Sequence, residues 1–322
     1  MSGGAEIVFA HVTKRYTGRD VAAVEDLSLV IPAGDICVLV GPSGAGKTTA
    51  MKMVNRLIDF DQGDITIDGR SVRDLDATEL RRGIGYVIQQ VGLFPHMTVG
   101  DNVAVVPRLL GWPKARIRDR VAELVELVGL EKSDSDRYPS QLSGGQRQRV
   151  GLARALAADP KVMLMDEPFG ALDPITRDRL QNEFLRLHDV ECKTVIFVTH
   201  DIDEAIKLGD RIAIFREGGV LVQYDTPDAI LASPADDFVA RFVGADRGLK
   251  RLSLRRLEEV QLESPNGALP DAPRTSAQTT LRDALSLMLT EGSDQLVVED
   301  GEGEVAGLLS LSHVSRLLSG EQ

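Results

Sequence analysis

The 322-residue chain has little cysteine, no surplus of positive charge and no long apolar run, and each shortage excludes something. Its two cysteines, Cys37 inside an apolar run and Cys192 just before another, cannot build a disulfide framework. Neither has metal-ligand spacing, so both read as small core residues in a reducing compartment. Lys and Arg number 37 against 49 Asp and Glu, giving a net charge of −12, which argues against a general nucleic-acid binder. No stretch of about 18 uncharged apolar residues occurs, and residues 1–10 lack a basic segment followed by an apolar one. A soluble, cytoplasmic chain is expected, and any membrane work would pass through a partner. With 43% hydrophobic residues, there is material for a real core in one large or two ordinary domains.

The stretch that organises the rest is the apolar run 37–40 followed by Gly41, Pro42, Ser43, Gly44, Ala45, Gly46, Lys47, Thr48 and Thr49. Gly41, four residues, Gly46, Lys47 and Thr48 fit G-x-x-x-x-G-K-[ST], in which glycines let backbone N–H groups converge on a phosphate. Lys47 would meet the β- and γ-phosphates, Thr48 would give a hydroxyl to Mg²⁺, and the helix start would favour the anion. A plain glycine-rich turn between strand and helix is the rival reading.

Around this stretch the pattern alternates. Residues 7–16 and 21–31 read as an antiparallel hairpin, 63–69 as a strand closed by an Asp-Gly turn, and Asp76 with Glu79 as a capping box. From about 99 to 160 helical spacing takes over, with Val121, Leu124, Val125 and Val128 as core. The short apolar runs 162–165 and 194–198 read as buried parallel strands, followed by strands at 211–215 and 220–224. The Pro- and Ser-rich stretch 262–277 reads as a linker before a small helix–strand–strand–helix unit.

A phosphate cradle needs a metal partner and a base for water. Asp166 and Glu167, at the end of an apolar strand, supply the carboxylates, Asp166 for Mg²⁺ and Glu167 for water. Ser143, Gly144, Gly145 and Gln146 form a second glycine-dependent element opening a helix. Taken in order, GPSGAGKTT, a strand ending in Gln89, LSGGQRQR, VMLMDEP, Ala171-Leu172-Asp173 and Val198-Thr199-His200-Asp201 resemble the nucleotide-binding subunit of ABC transporters over residues 7 to about 245.

That resemblance implies an α/β fold: an ABC-type P-loop NTPase core with an antiparallel β subdomain and an inserted helical subdomain. It implies ATP and Mg²⁺ as cofactors, Tyr16 stacking on adenine, and residues 41–49 on the phosphates. Gln89, with Thr48 and Asp166, would contact the metal, and His200 the γ-phosphate. Ser143, Gly144, Gly145 and Gln146 would complete the site of the opposite subunit, with Asp173 across the interface, in a head-to-tail homodimer. The expected domains are an ATPase domain at 1–245, a connecting helix and linker at 246–278, and a single CBS-like module of α+β type at 279–322.

Residues 88–94 and 237–247 resemble more narrowly the importers of quaternary-amine osmoprotectants such as glycine betaine, choline and carnitine. This implies permease subunits, an extracytoplasmic binding protein, a place on the cytoplasmic face of the inner membrane, and no nucleic acid. An importer for another small solute, such as an amino acid or polyamine, is an alternative. A soluble ABC ATPase acting on ribosomes or DNA is another, of a different class. Residues 295–299 and 305–309 resemble strands of a CBS module, in which His313 stands where nucleotide-binding modules place a carboxylate. The module is acidic and poorly suited to anionic lipid.

Overall fold

The polar turn at residues 17–20 predicts an antiparallel opening, and the computed structural model has one. The structure describes residues 3–18, 20–88, 92–170, 172–264 and 271–319, which fall into two units, 1–226 and 227–322. The first unit runs β1 (Ile7–Lys14), β2 (Val24–Ile31), β3 (Ile36–Val40), α1 (Lys47–Val54), β4 (Gln62–Ile67), β5 (Arg70–Ser71), α2 (Ala77–Arg82) and β6 (Ile84–Val87). It continues with α3 (Val99–Val103), α4 (Val105–Leu109), α5 (Lys114–Leu127), α6 (Gly144–Leu156), β7 (Val162–Asp166), α7 (Pro174–Glu191), β8 (Thr194–Val198), α8 (Ile202–Leu208), β9 (Arg211–Arg216) and β10 (Val220–Asp225).

One sheet has the order β2-β1-β4-β5 and pairs antiparallel. The other has the order β10-β9-β3-β8-β7-β6, parallel except for its β10 edge. β3, β7 and β8 are buried at every position. That explains their apolar sequences, broken only at Asp166 and Thr194 on the strand ends, since a parallel sheet is covered on both faces. Each buried Val, Leu or Ile there contributes roughly 1.5–3 kcal/mol. The strands end on one edge, where open α/β sheets take ligands. Helices α3 to α6 form the inserted subdomain, with Leu124, Val125 and Val128 buried as their spacing predicts.

Helix α1 ends at Val54 because Arg56 turns left-handed (φ 52) and the N–H groups of Leu57 and Ile58 fold back onto the Lys52 carbonyl. One local expectation changes. Cys192 is exposed rather than core: it ends α7 in the left-handed conformation (φ 47). The buried neighbour is Lys193, 2% exposed, whose ammonium meets Asp159 at 2.5 Å and Glu191 at 3.4 Å.

The second unit comprises α9 (Pro227–Ala232), α10 (Asp237–Val243), α11 (Arg247–Leu252), β11 (Arg274–Ser276), α12 (Leu281–Glu291), β12 (Gln295–Glu299), β13 (Val305–Ser310) and α13 (Leu311–Ser319). β11 is parallel to β12, and β12 is antiparallel to β13. The division after Thr226 precedes the expected one at 245, for a packing reason. Leu252 and Leu257 share a core with Leu281, Met288, Leu296 and Leu309, and Arg251 on α11 pairs with Asp228 on α9 at 2.6 Å. Within the expected linker, Arg274–Ser276 is a strand too short to show alternation.

Candidate nucleotide site

The cradle follows from the exit of β3. Gly41 (φ 151) and Gly46 (φ 85) hold backbone that side chains rarely adopt, and a Cβ would strike the Phe215 carbonyl oxygen at Gly41 and that of Ala23 at Gly46. The loop therefore lies against β9 and the entry to β2, and its geometry needs glycine. Lys47, 6% exposed, donates from Nζ to the Gly41 carbonyl at 2.7 Å and the Pro42 carbonyl at 2.8 Å. Burial pushes its pKa down, opposed by Glu167 and Asp166. Thr48 donates to Asp166 Oδ1 at 2.9 Å, so hydroxyl and carboxylate stand together at the start of α1.

Glu167 begins where β7 ends. Its N–H donates to the Val198 carbonyl of β8 at 3.0 Å while its own backbone is left-handed (φ 46), a strain of order 1–3 kcal/mol. Glu167 Oε1 and His200 Nδ1, at the exit of β8, are 3.2 Å apart. A cavity of about 820 Å³ is lined by Tyr16, residues 43–49 and Glu167. The Tyr16 ring carries the Lys14 ammonium 5.6 Å from its centroid.

A second cavity, of about 640 Å³, holds the other named residues: Ser143, Gly144, Gly145, Gln146 and Asp173. Ser143 Oγ accepts the Gln146 N–H at 3.2 Å, and the Gln146 side chain accepts the Ser143 N–H at 2.9 Å, a reciprocal cap for α6. Asp173 caps α7 through the Thr176 N–H at 3.0 Å, which holds its carboxyl below the usual range. The two cavities share no lining residue. Within the chain, the Gln148 side-chain amide of α6 donates to the Pro168 carbonyl, next to Glu167. Gln89 lies outside the described residues.

Some neighbours of the site escape the motifs. Residues 20–23 and the turn residues Glu217 and Gly218 line the first cavity; the Glu-Gly-Gly turn between two strands was the available signal for the latter. The Lys52 ammonium is 3.7 Å from Asp166 Oδ2, and its place four residues after Thr48 on one helix was a readable sign. Tyr86 has its pKa pushed up to about 12 by burial and by the Asp166 charge.

Among the described residues no group of three or more His, Cys, Asp or Glu is placed to hold a metal ion. Thr48 and Asp166 instead fit the divalent ion of a nucleotide complex, which takes one or two protein oxygens beside phosphate and water. A glycine cradle at the end of a parallel strand, with a buried lysine and an acid pair two strands over, defines a P-loop nucleotide hydrolase. The ABC transporter family model matches residues 24–170, and the CBS domain model residues 269–320.

The chain is 49% identical to the osmoprotectant import ATP-binding protein OsmV of Salmonella typhimurium, over 94% of this chain and 78% of that one. It is 47% identical to the choline transport ATP-binding protein OpuBA of Bacillus subtilis (96% and 80% covered) and to the glycine betaine uptake system ATP-binding protein YehX of Escherichia coli (94% and 97%). A dimeric ATP-binding cassette solved in a post-hydrolysis state with ADP and Pi superposes with TM-score 0.61 at 34% identity, covering 68% of this chain and 98% of that one. The chain belongs to the ABC transporter family, as one of its ATP-binding subunits.

Proposed function

We propose that the chain is the ATP-hydrolysing subunit of an importer for quaternary-amine osmoprotectants of the glycine betaine, choline or carnitine type. The observation that carries the mechanism is the division of the site: residues 43–49 and Glu167 line one cavity, the Ser143 helix start and Asp173 another. One chain then holds two halves. Two copies arranged head to tail complete two sites, with Ser143, Gly144, Gly145 and Gln146 of one copy facing ATP held by the other and Asp173 beside them. The dimeric state of the matched cassette supports this arrangement.

In each site Tyr16 offers its ring to the base. Lys47 exchanges the carbonyls of Gly41 and Pro42 for phosphate oxygens, one set of acceptors for another. Thr48 and Asp166 would hold Mg²⁺, with Gln89 as a further contact; when bound, the ion would supply charge neutralisation at the phosphates. Glu167 takes the proton of the attacking water, and His200 keeps that carboxylate turned toward it.

Support for the cargo comes from the relatives' names, since this subunit does not touch the solute. The permease and an extracytoplasmic binding protein would do so, with the chain working at the cytoplasmic face of the inner membrane through the permease. Among the described residues no helix is long and apolar enough to cross a membrane. The deciding test is reconstitution with the permease and binding protein encoded beside this chain. ATP-driven uptake of labelled betaine, choline or carnitine is expected. Uptake confined to amino acids or polyamines would move the cargo, and recovery with ribosomes or DNA and no permease would sink the transport reading.

A further inference from the structure

Lys52 has no part in the chemistry above, yet its ammonium lies 3.7 Å from Asp166 Oδ2 while Thr48 donates to Oδ1 at 2.9 Å. Residues 48 and 52 are one helical turn apart, so α1 addresses both oxygens of the carboxylate from one face. A lysine in the last turn of a helix is ordinarily explained by the helix dipole. Here the Lys52 carbonyl already accepts the N–H groups of Leu57 and Ile58, and the side chain reaches the carboxylate instead. The Asp166 side chain is 11% exposed and that of Lys52 32%, so the attraction is screened less than on an open surface. The other nearby ammonium, Lys47, is held by the carbonyls of Gly41 and Pro42.

We propose that Lys52 occupies the metal carboxylate when no nucleotide is bound, and so makes divalent-ion binding depend on nucleotide. The inference rests on the ATP reading of the cradle. A bare divalent cation must displace a tethered ammonium from Asp166, and the described residues offer no cluster of further ligands to compensate. A cation arriving with a triphosphate brings phosphate oxygens of its own, and the competition with Lys52 no longer decides occupancy.

The test is Mn²⁺ binding without nucleotide, followed by the EPR signal of the free ion on the full chain and its Lys52 variants. Lys52→Gln is expected to bind Mn²⁺ at least about tenfold more tightly than the parent, because one opposing unit charge is removed at close range. Lys52→Arg should resemble the parent, and Asp166→Asn combined with Lys52→Gln should lose the gain. Lys52→Met replaces the Gln variant if that one does not fold. Affinity no tighter than the parent's, or a gain that survives Asp166→Asn, overturns the proposal. Binding of a fluorescent ATP analogue in EDTA, on the same samples, reads the cradle separately. A parent that does not bind it removes the ATP reading itself, whereas a parent that binds it beside an unchanged Lys52→Gln affinity removes only the role of Lys52.

Discussion

The cavity at residues 43–49 and the cavity at residues 143–146 both rest on glycines at the start of a helix, yet only the first needs its glycines in order to fold. Gly41 and Gly46 have positive φ and would drive a Cβ into backbone. Gly144 has nothing within 4 Å of its Cβ position, and Gly145 meets only the Thr176 Cγ2 at 3.2 Å. Gly144, in the first turn of α6, thus has neither a positive φ nor a close neighbour inside this chain that calls for glycine. Its use has to come from outside, where something must approach the helix start closely. The difference separates a site shaped by its own fold from the surface that, in the proposed head-to-tail arrangement, faces a second copy.

That contrast can be broken by substitution. Glu167→Gln carries the largest expected effect: turnover measured by phosphate release falls about 100-fold or more, with ATP binding retained. Turnover within tenfold of the parent would remove Glu167 as the base. Next comes Gly46→Ala, which should weaken nucleotide binding by about tenfold or more, given a strain of order 1–3 kcal/mol at that backbone. Equilibrium titration with a fluorescent ATP analogue reads it. Gly144→Ala should leave that titration unchanged in the isolated chain and lower turnover; equal loss of binding in both variants would erase the distinction between the cavities.

The smallest effect concerns Glu204 on α8, which accepts a hydrogen bond from Gln181 of α7 at 3.0 Å. Burial raises its pKa, so the folded chain binds this proton more tightly than the unfolded one. Its effect on stability is therefore unfavourable as pH rises through the interval between the ordinary glutamate value and the raised one. Glu204→Gln should flatten the fall of Tm over that interval, by a degree or two at most for a chain of this size. A Tm slope identical to the parent's would show that the carboxylate is not titrating there.

The parallel strands and the cradle were legible in the sequence because each is written in consecutive residues: an unbroken apolar run, then a fixed glycine spacing. Asp166 and Glu167 were legible as strand-end positions and His200 only through the family resemblance; in the structure Asp166 meets Thr48 and His200 meets Glu167. The separation of Ser143 and Asp173 into their own cavity followed from the family resemblance, since no local pattern states which strand ends face each other. Lys52 and Glu217 were missed because their roles depend on a carboxylate and a loop far away in sequence. Cys192 was read as core because hydropathy ranks a thiol among the apolar side chains, and nothing local marked its neighbour Lys193 as buried. In the fold, a left-handed helix end turns the thiol outward, and a pair of carboxylates makes the buried lysine tolerable. The boundary at Thr226 was hidden because α9 to α11 look like a continuation of the first unit until Leu252 and Leu257 are seen in the core of the second.

The left-handed backbone at Glu167 has a consequence for how this chain can vary. The position proposed for water activation is one where glycine or asparagine would sit with less strain than glutamate does. Selection for a sturdier fold alone would favour replacements that silence the enzyme, so drift toward an ATP-holding but idle subunit is downhill in folding energy. Keeping hydrolysis requires selection on transport itself, acting against stability at this one residue.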